Sequence, residues 1–200
     1  MAQLLLMVII VNMNPISFSY MKKPILSFAF VSLLAAPCFA DALFLSVKAT
    51  PYDRQMTPIH NVLTRGGSSA DQTSISMVNI WMSDLRNIPY GYQAVWKTPS
   101  EVESRHPADC KGKAVALYER MKAHGATNVR LVIGKRAPFS QKTHAWLEWQ
   151  TANGSYVLDP TFNYAATRSE KIRRNYYVPL YAFSGSKKFR ATTTSLVAQN

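Results

Sequence analysis

The sequence predicts an α+β domain in which a cysteine-bearing helix packs on an antiparallel sheet. Apolar side chains recur at helical spacing between residues 107 and 124. Three segments with strand character follow between residues 129 and 159. The dipeptide Asn153-Gly154, which separates the last two, is a strong hairpin signal. These segments are therefore predicted to pair in the antiparallel sense.

The region ahead of the cysteine helix is predicted to hold one short strand and two helices. The strand is expected at Leu43–Val47, within an irregular lead-in over residues 41–65. Near-helical spacing of apolar residues predicts a helix over about residues 72–86. Thr98 and Glu101 form the pattern of a capping box, which predicts a short helix that begins after Thr98.

The cysteine helix presents one apolar stripe, formed by Cys110, Ala114, Leu117 and Met121. Lys113 is among the charged residues that lie off this face. The helix begins either at Pro107 or after an Asp109 cap. In both cases Cys110 falls in or near the first turn, on the buried face.

Strands are predicted at Val129–Ile133, Thr143–Gln150, Ser155–Asp159 and Tyr176–Phe183. Pro179 cannot donate a ladder hydrogen bond, so the last of these strands is predicted at a sheet edge. The polar tail from Ser184 is predicted to be loose.

Residues 1–40 have the order of a secretory signal peptide. They contain no acidic residue, and Lys22 and Lys23 precede an apolar run over residues 25–34. Small residues then lead to a predicted cleavage site after Ala40. The mature domain is therefore expected to begin with the next residue.

Two alternatives to a cleaved signal remain open, namely a retained membrane anchor and a lipid anchor on Cys38. The apolar run is shorter than the roughly 20 residues that span a bilayer. Pro37 stands where a lipidation site prefers a small residue. Because the signal is complete from Met21 onward, Met21 is a second candidate for the first residue.

Composition limits the classes of function that the mature chain, residues 41–200, can have. It would carry 21 basic and 11 acidic residues, a net charge of +10. The basic residues are scattered and accompany no nucleic-acid-binding motif, which predicts a solvated surface and no nucleic-acid partner. Two cysteines exclude a disulfide-rich scaffold and a cysteine-based zinc site. We expect a periplasmic or secreted monomer with no stable membrane span, no metal and no cofactor.

Cleavage after Ala40 would leave Cys110 as the single cysteine. A lone thiol in an oxidising compartment is either a small buried hydrophobe or a group that does chemistry. A helix N-terminus and a neighbouring imidazolium can lower a cysteine pKa from about 8.5 to roughly 3.5–7.5. Cys110 has the first feature by sequence, and the second requires a histidine.

The four histidines of the chain are His60, His106, His124 and His144. His124 lies along the cysteine helix, about 20 Å from Cys110 by helical rise. His106, four residues before Cys110, is an alternative partner for the thiol if a local turn directs its side chain back toward Cys110. His144 begins one predicted strand and Asp159 ends the next, so this pair can supply a base and the group that orients it.

The hairpin register decides whether Asp159 reaches His144. A two-residue Asn-Gly turn would place Asp159 opposite Glu148, too far from the imidazole. A four-residue loop over residues 151–154 would place Asp159 opposite Trp146, diagonal to His144 and within side-chain reach. The longer loop or a bulge is therefore predicted.

Four motifs occur in order along the chain: Trp96-Lys97-Thr98-Pro99, Asp109-Cys110, His144–Glu148 and Val157–Thr161. This set resembles the transglutaminase-like superfamily and, within it, the bacterial transglutaminase-like cysteine proteinases. The resemblance implies a papain-like core and a catalytic triad of Cys110, His144 and Asp159. It also implies covalent acyl transfer on a protein or peptide substrate of the cell envelope.

The chain departs from the adhesin-releasing members of that group just after the cysteine. Those members carry acidic residues there, tied to calcium dependence, whereas this chain has Lys111 and Gly112. Asp109 alone is a poor calcium site. The papain-like glutamine before the cysteine is also absent, so the indole N–H of Trp96 is a candidate oxyanion donor, with a buried core residue as the alternative. Trp146 shares a strand face with the predicted catalytic histidine and is expected to line the cleft.

These features favour an exported cysteine peptidase or amidase. A crosslinking enzyme would differ only in using an amine as the acceptor. A non-catalytic envelope-binding module would keep the fold without a reactive thiol. Hydrolysis is favoured because the resemblance is to proteinases.

Overall fold

The computed structural model describes residues 43–67, 70–104, 106–173 and 175–192. The predicted signal peptide, residues 1–40, lies outside these ranges, and so does its cleavage site. Within the described ranges, no helix combines the length and apolar character needed to cross a membrane.

The described residues form four α-helices and seven strands. The helices are α1 (His60–Thr64), α2 (Ile75–Asn87), α3 (Pro99–Glu103) and α4 (Cys110–Ala123). The strands are β1 (Leu43–Ser46), β2 (Val129–Lys135), β3 (His144–Thr151), β4 (Gly154–Leu158), β5 (Thr167–Arg168), β6 (Val178–Ser184) and β7 (Lys187–Thr192). All neighbouring strands pair antiparallel, in the order β1-β7-β6-β2-β3-β4-β5. The predicted α+β architecture is confirmed.

Polar caps determine where α3 and α4 begin. The Thr98 N–H donates to the Glu101 carboxylate at 2.7 Å, which completes the predicted capping box of α3. The Asp109 carboxylate accepts the N–H groups of Lys111 at 3.1 Å and Gly112 at 3.2 Å. Of the two predicted starts of the cysteine helix, the Asp109 cap is therefore the correct one.

The α4 helix is buried on more sides than a single apolar stripe predicts. Lys113 is only 1% exposed. Its ammonium donates to the carbonyl oxygens of Ile88 at 2.6 Å and Arg86 at 3.4 Å, at the C-terminal end of α2. Helix C-termini favour positive charge, so the lysine joins two packed helices. Burial and the nearby Arg86 guanidinium lower the pKa of Lys113.

Both faces of the sheet carry apolar residues. The larger cluster lies on the side where α4 contacts β2 and β3, and it includes Leu131, Ile133, Leu147 and Trp149. The smaller cluster, on alternate residues of the same strands, consists of Val132, Trp146, Val157 and Ala182. The larger cluster packs α4 against one face of the sheet. The smaller cluster encloses the Trp146 side chain on the opposite face.

The C-terminal strands differ from the prediction. β6 is central, between β7 and β2, and is not an edge strand. Pro179 is tolerated there because the pairing with β2 shifts register between Ile133 and Gly134, at the position where Gly134 faces Pro179. The tail predicted to be loose contains β7, which pairs with both β6 and β1. The lead-in predicted to be irregular contains α1, which buries Val62 and Leu63.

The β3–β4 hairpin has the register predicted for the longer loop but a shorter turn. Thr151 pairs with Gly154, so only the two residues between them form the turn. The Thr151 hydroxyl accepts the Asn153 N–H at 3.1 Å and donates to the Gly154 carbonyl at 3.0 Å. The predicted loop length was wrong, but the predicted register is confirmed. Leu158 pairs with Leu147, so the next residue, Asp159, lies opposite Trp146.

Candidate active site

Three ends of secondary structure meet at one end of the sheet. Cys110 is the first residue of α4, His144 is the first residue of β3, and Asp159 directly follows β4. Because β3 and β4 are antiparallel, the start of one lies beside the end of the other. The packing of α4 on β2 and β3 brings the helix N-terminus to the same place.

His144 and Asp159 form a buried hydrogen-bonded pair. The imidazole Nε2 lies 2.9 Å from the carboxylate Oδ2. His144 is 8% exposed and Asp159 is 0% exposed. The Cys110 thiol lies close enough to the same ring to raise its pKa. The structure thus brings Cys110, His144 and Asp159 together.

The pair carries opposite charges near neutral pH. Burial lowers the pKa of His144, but the hydrogen bond to Asp159 and the interaction with Cys110 outweigh burial and raise that pKa from 6.5 to about 9. Burial raises the pKa of Asp159, but hydrogen bonds from His144 and other donors bring it below the ordinary 3.8. The result is an imidazolium beside the Cys110 thiol at the N-terminus of α4.

The groups around Asp159 were not predicted from the sequence. The Tyr177 hydroxyl donates to Oδ2 at 2.8 Å, and the Thr161 N–H donates to Oδ1 at 3.0 Å. The Arg136 Nε lies 3.8 Å from Oδ2, and its guanidinium stacks 3.9 Å from the centre of the Phe162 ring. Only the Thr161 contact has a sequence signal, because aspartates commonly bind the N–H two residues on.

Tyr177 adopts an unusual backbone conformation to reach the carboxylate. Its φ of 52° is left-handed, which is costly for an aromatic residue. Its N–H donates to the Arg136 carbonyl at 3.0 Å, and this bond holds the segment in place. Burial and the Asp159 charge raise the pKa of Tyr177, so its hydroxyl keeps its proton and remains a donor.

A cleft of about 840 Å³ opens onto Cys110 and His144. The exposed aromatic side chains that line it are Tyr90, Tyr92 and Phe162. Trp96 lines it from a buried position, and its indole Nε1 has no hydrogen-bond partner among the described residues. Cys110, which is 8% exposed, is one of the residues that line this cleft.

Trp146 does not line the cleft, contrary to the prediction. It is fully buried in the smaller apolar cluster. Its ring stacks against the His144 ring, with centroids 6.2 Å apart and planes at 20°. Trp146 therefore supports the imidazole from within the core, because its strand face is covered at this end of the sheet.

The competing histidines make other contacts. His106 Nδ1 lies 2.9 Å from the Ser104 hydroxyl, at the surface. His124 Nδ1 lies 2.9 Å from the Arg120 carbonyl at the end of α4, as expected for a histidine at a helix C-terminus. Among the described histidines, His144 is the one that contacts the thiol.

The raised pKa of His144 predicts a pH-dependent preference for charged reagents. Below pH 9 the imidazolium attracts anionic iodoacetate to Cys110, and above pH 9 this attraction is lost. We expect the ratio of iodoacetate to iodoacetamide alkylation rates to fall through about pH 9 in protein with Cys38→Ser, in which Cys110 is the only thiol. His144→Gln should remove the step. A ratio that does not change with pH would contradict this assignment of charge.

The same proton contributes to stability. Between pH 6.5 and about 9 the folded protein holds a proton on His144 that the unfolded chain releases. The stabilisation from this group is therefore complete below pH 6.5 and is lost as the pH rises through about 9.

The sequence matches no family model and no curated protein. Its fold is similar to solved structures of LapG from Legionella pneumophila. For the EGTA-treated protein the TM-score is 0.52 at 19% identity, covering 72% of this chain and 79% of that chain. For the calcium-bound protein it is 0.51 at 16% identity, covering 72% and 83%. At these identities the likeness establishes the fold alone: this chain has a mixed fold of helices and an antiparallel sheet similar to that of LapG.

Proposed function

We propose that this protein is an exported cysteine peptidase or amidase that acts through Cys110, His144 and Asp159. The observation that carries the proposal is the buried 2.9 Å pair between His144 and Asp159 beside a thiol that opens to a cleft. A nucleophile next to a base that a third group orients is an arrangement that activates a thiol for acyl transfer.

The proposed reaction has two steps. The Cys110 thiolate attacks an amide carbonyl carbon, and the His144 imidazolium donates its proton to the leaving amine as the C–N bond breaks. His144 then takes a proton from water, which attacks the thioester and releases the carboxylic acid and the free thiolate. Asp159 keeps the imidazole oriented and stabilises its charged form.

The oxyanion of each tetrahedral intermediate requires hydrogen-bond donors. Asp109 accepts the N–H groups of Lys111 and Gly112, which leaves the Cys110 N–H as the donor nearest to the sulfur. The indole N–H of Trp96, buried beside the cleft without a partner among the described residues, supports its proposed role as the second donor.

The proposed location is the periplasm or the exterior, with residues 1–40 removed and the domain acting as a monomer. The order of charged, apolar and small residues in that segment supports export. The proposed substrate is a protein or peptide of the cell envelope. Water is the proposed acceptor, which makes the reaction a hydrolysis.

The test is incubation of the purified protein with an envelope protein extract, in parallel with Cys110→Ala. We expect new fragments that require Cys110 and new N-termini at the cut sites. A labelled primary amine added to both samples distinguishes hydrolysis from crosslinking. No Cys110-dependent product, together with iodoacetamide alkylation no faster than that of a free cysteine, would exclude the enzyme and favour a binding module.

A further inference from the structure

Lys111 forms an ion pair with Asp109 at the N-terminus of α4, next to Cys110. The lysine side chain is 18% exposed and the aspartate side chain 3% exposed. The same ammonium donates to the Gln93 carbonyl at 2.9 Å and lies 5.1 Å from the centre of the Tyr92 ring. Lys111 is therefore held by three groups in a largely buried position.

The Asp109 carboxylate has no acceptor position left for a metal ion. Oδ1 accepts the N–H groups of Lys111 and Gly112, and Oδ2 accepts the Gln93 N–H at 3.2 Å and the Lys111 ammonium. An ionised carboxylate offers about four acceptor sites, so all of them are used.

Calcium takes about six to eight oxygen ligands, usually several of them carboxylates. In the part of the chain that the structure describes, no cluster of three or more acidic, histidine or cysteine side chains could hold a metal ion. The described residues beside Cys110 therefore do not fit a calcium ion, although a structure of similar fold has been solved with calcium bound.

We propose that the Lys111 ammonium is the built-in cation of this site and makes the reactivity of Cys110 independent of calcium. The inference rests on the proposed function, because the site that it concerns is the proposed nucleophile. Lys111 is a positioning residue and acts through Asp109 and the cleft wall.

Its first effect is to fix one wall of the cleft. Asp109 binds the N–H of Gln93 and Lys111 binds its carbonyl, so the ion pair holds both backbone polar groups of this residue. Gln93 belongs to a segment whose neighbouring residues line the cleft, namely Tyr90, Tyr92, Ala94 and Trp96. Loosening Gln93 would move the wall that carries the proposed oxyanion donor.

Its second effect is electrostatic. Asp109 directly precedes Cys110, and a buried carboxylate without a counter-charge opposes a thiolate nearby. The ammonium cancels that charge within the same pocket. Removing it would leave a buried, unpaired carboxylate next to the nucleophile.

The test measures iodoacetamide alkylation of Cys110 against pH in full-length protein with Cys38→Ser, in EGTA or in excess calcium chloride. We expect the same profile in both media. Lys111→Met should slow alkylation roughly tenfold at neutral pH and move the profile about one pH unit higher. Lys111→Arg should recover most of the rate because it retains the positive charge.

Lys122→Met is the matched control, since Lys122 lies in the same helix and donates to a single carbonyl, that of Ala126, at 3.0 Å. Its profile should match that of the parent protein. Alkylation that is lost in EGTA and restored by calcium would overturn the proposal without any Lys111 variant. A Lys111→Met profile that coincides with the Lys122→Met profile would also overturn it. Because the readout is alkylation, failure to cleave any envelope protein contradicts the proposed function separately.

Discussion

Asp159→Asn is expected to reduce Cys110-dependent cleavage by up to about 10⁴-fold, the loss seen when the orienting carboxylate of a Ser-His-Asp triad becomes an amide. The neutral amide cannot stabilise an imidazolium, while burial continues to lower the pKa of His144. That pKa should therefore fall below about 9, which leaves less of the imidazole protonated at neutral pH. The variant should remain folded, since the amide side chain keeps an oxygen that can accept the Thr161 N–H.

The measurements are the cleavage rate and an NMR titration of the His144 ring. Asp53→Asn is the matched control, because Asp53 is also an ion-paired carboxylate, bound to Lys188 at 2.7 Å and away from the imidazole. It should cleave at nearly the parent rate. An Asp159→Asn variant that cleaves within a few-fold of the parent would show that the carboxylate has only a structural role.

Gly134→Ala is expected to destabilise the fold by about 3 kcal/mol or more, the level of overpacking in a rigid core. An added Cβ would lie 2.2 Å from the Val178 carbonyl oxygen and 2.9 Å from the Pro179 Cα, both backbone atoms of β6. It would also lie 2.6 Å from Trp146 Cη2. Since Trp146 stacks on His144, the variant should disturb the site as well as the sheet.

Urea unfolding measures the first effect, and the alkylation profile of Cys110 measures the second in whatever fraction stays folded. Gly66→Ala is the matched control, because a Cβ there meets nothing within 4 Å. Its free energy of unfolding should change by no more than about 0.5 kcal/mol. Equal unfolding midpoints for the two variants would contradict the close packing of β2 against β6.

The sequence was informative wherever a local pattern determines the structure. The aspartate before Cys110 caps α4, and the threonine–glutamate pair caps α3. The face shared by His144 and Asp159 followed from strand parity, since residues in opposed positions alternate together across a hairpin. The position of Cys110 at the helix N-terminus and the pairing of His144 with Asp159 were therefore within reach of a single sequence.

The remaining features depend on contacts between distant segments. Lys113 resembles a surface residue until the end of α2 supplies two carbonyls to its ammonium. Pro179 predicts an edge strand. The register shift at Gly134, which allows β6 to lie inside the sheet, has no signal in the sequence. Tyr177 and Arg136 reach Asp159 through a left-handed backbone and a side-chain stack, and neither leaves a periodic signal in the sequence.

The pairing of β1 with β7 has a consequence for the order in which the protein folds. Leu43 lies opposite Thr192, whose hydroxyl donates to the Leu43 carbonyl at 3.0 Å across 149 positions of the chain. Closing so long a loop is entropically costly, so this contact is expected to form late. A chain that is synthesised N-terminus first must complete β7 before β1 can dock. Until then the free border of β1 is open to chaperones, to proteases and to a second nascent molecule.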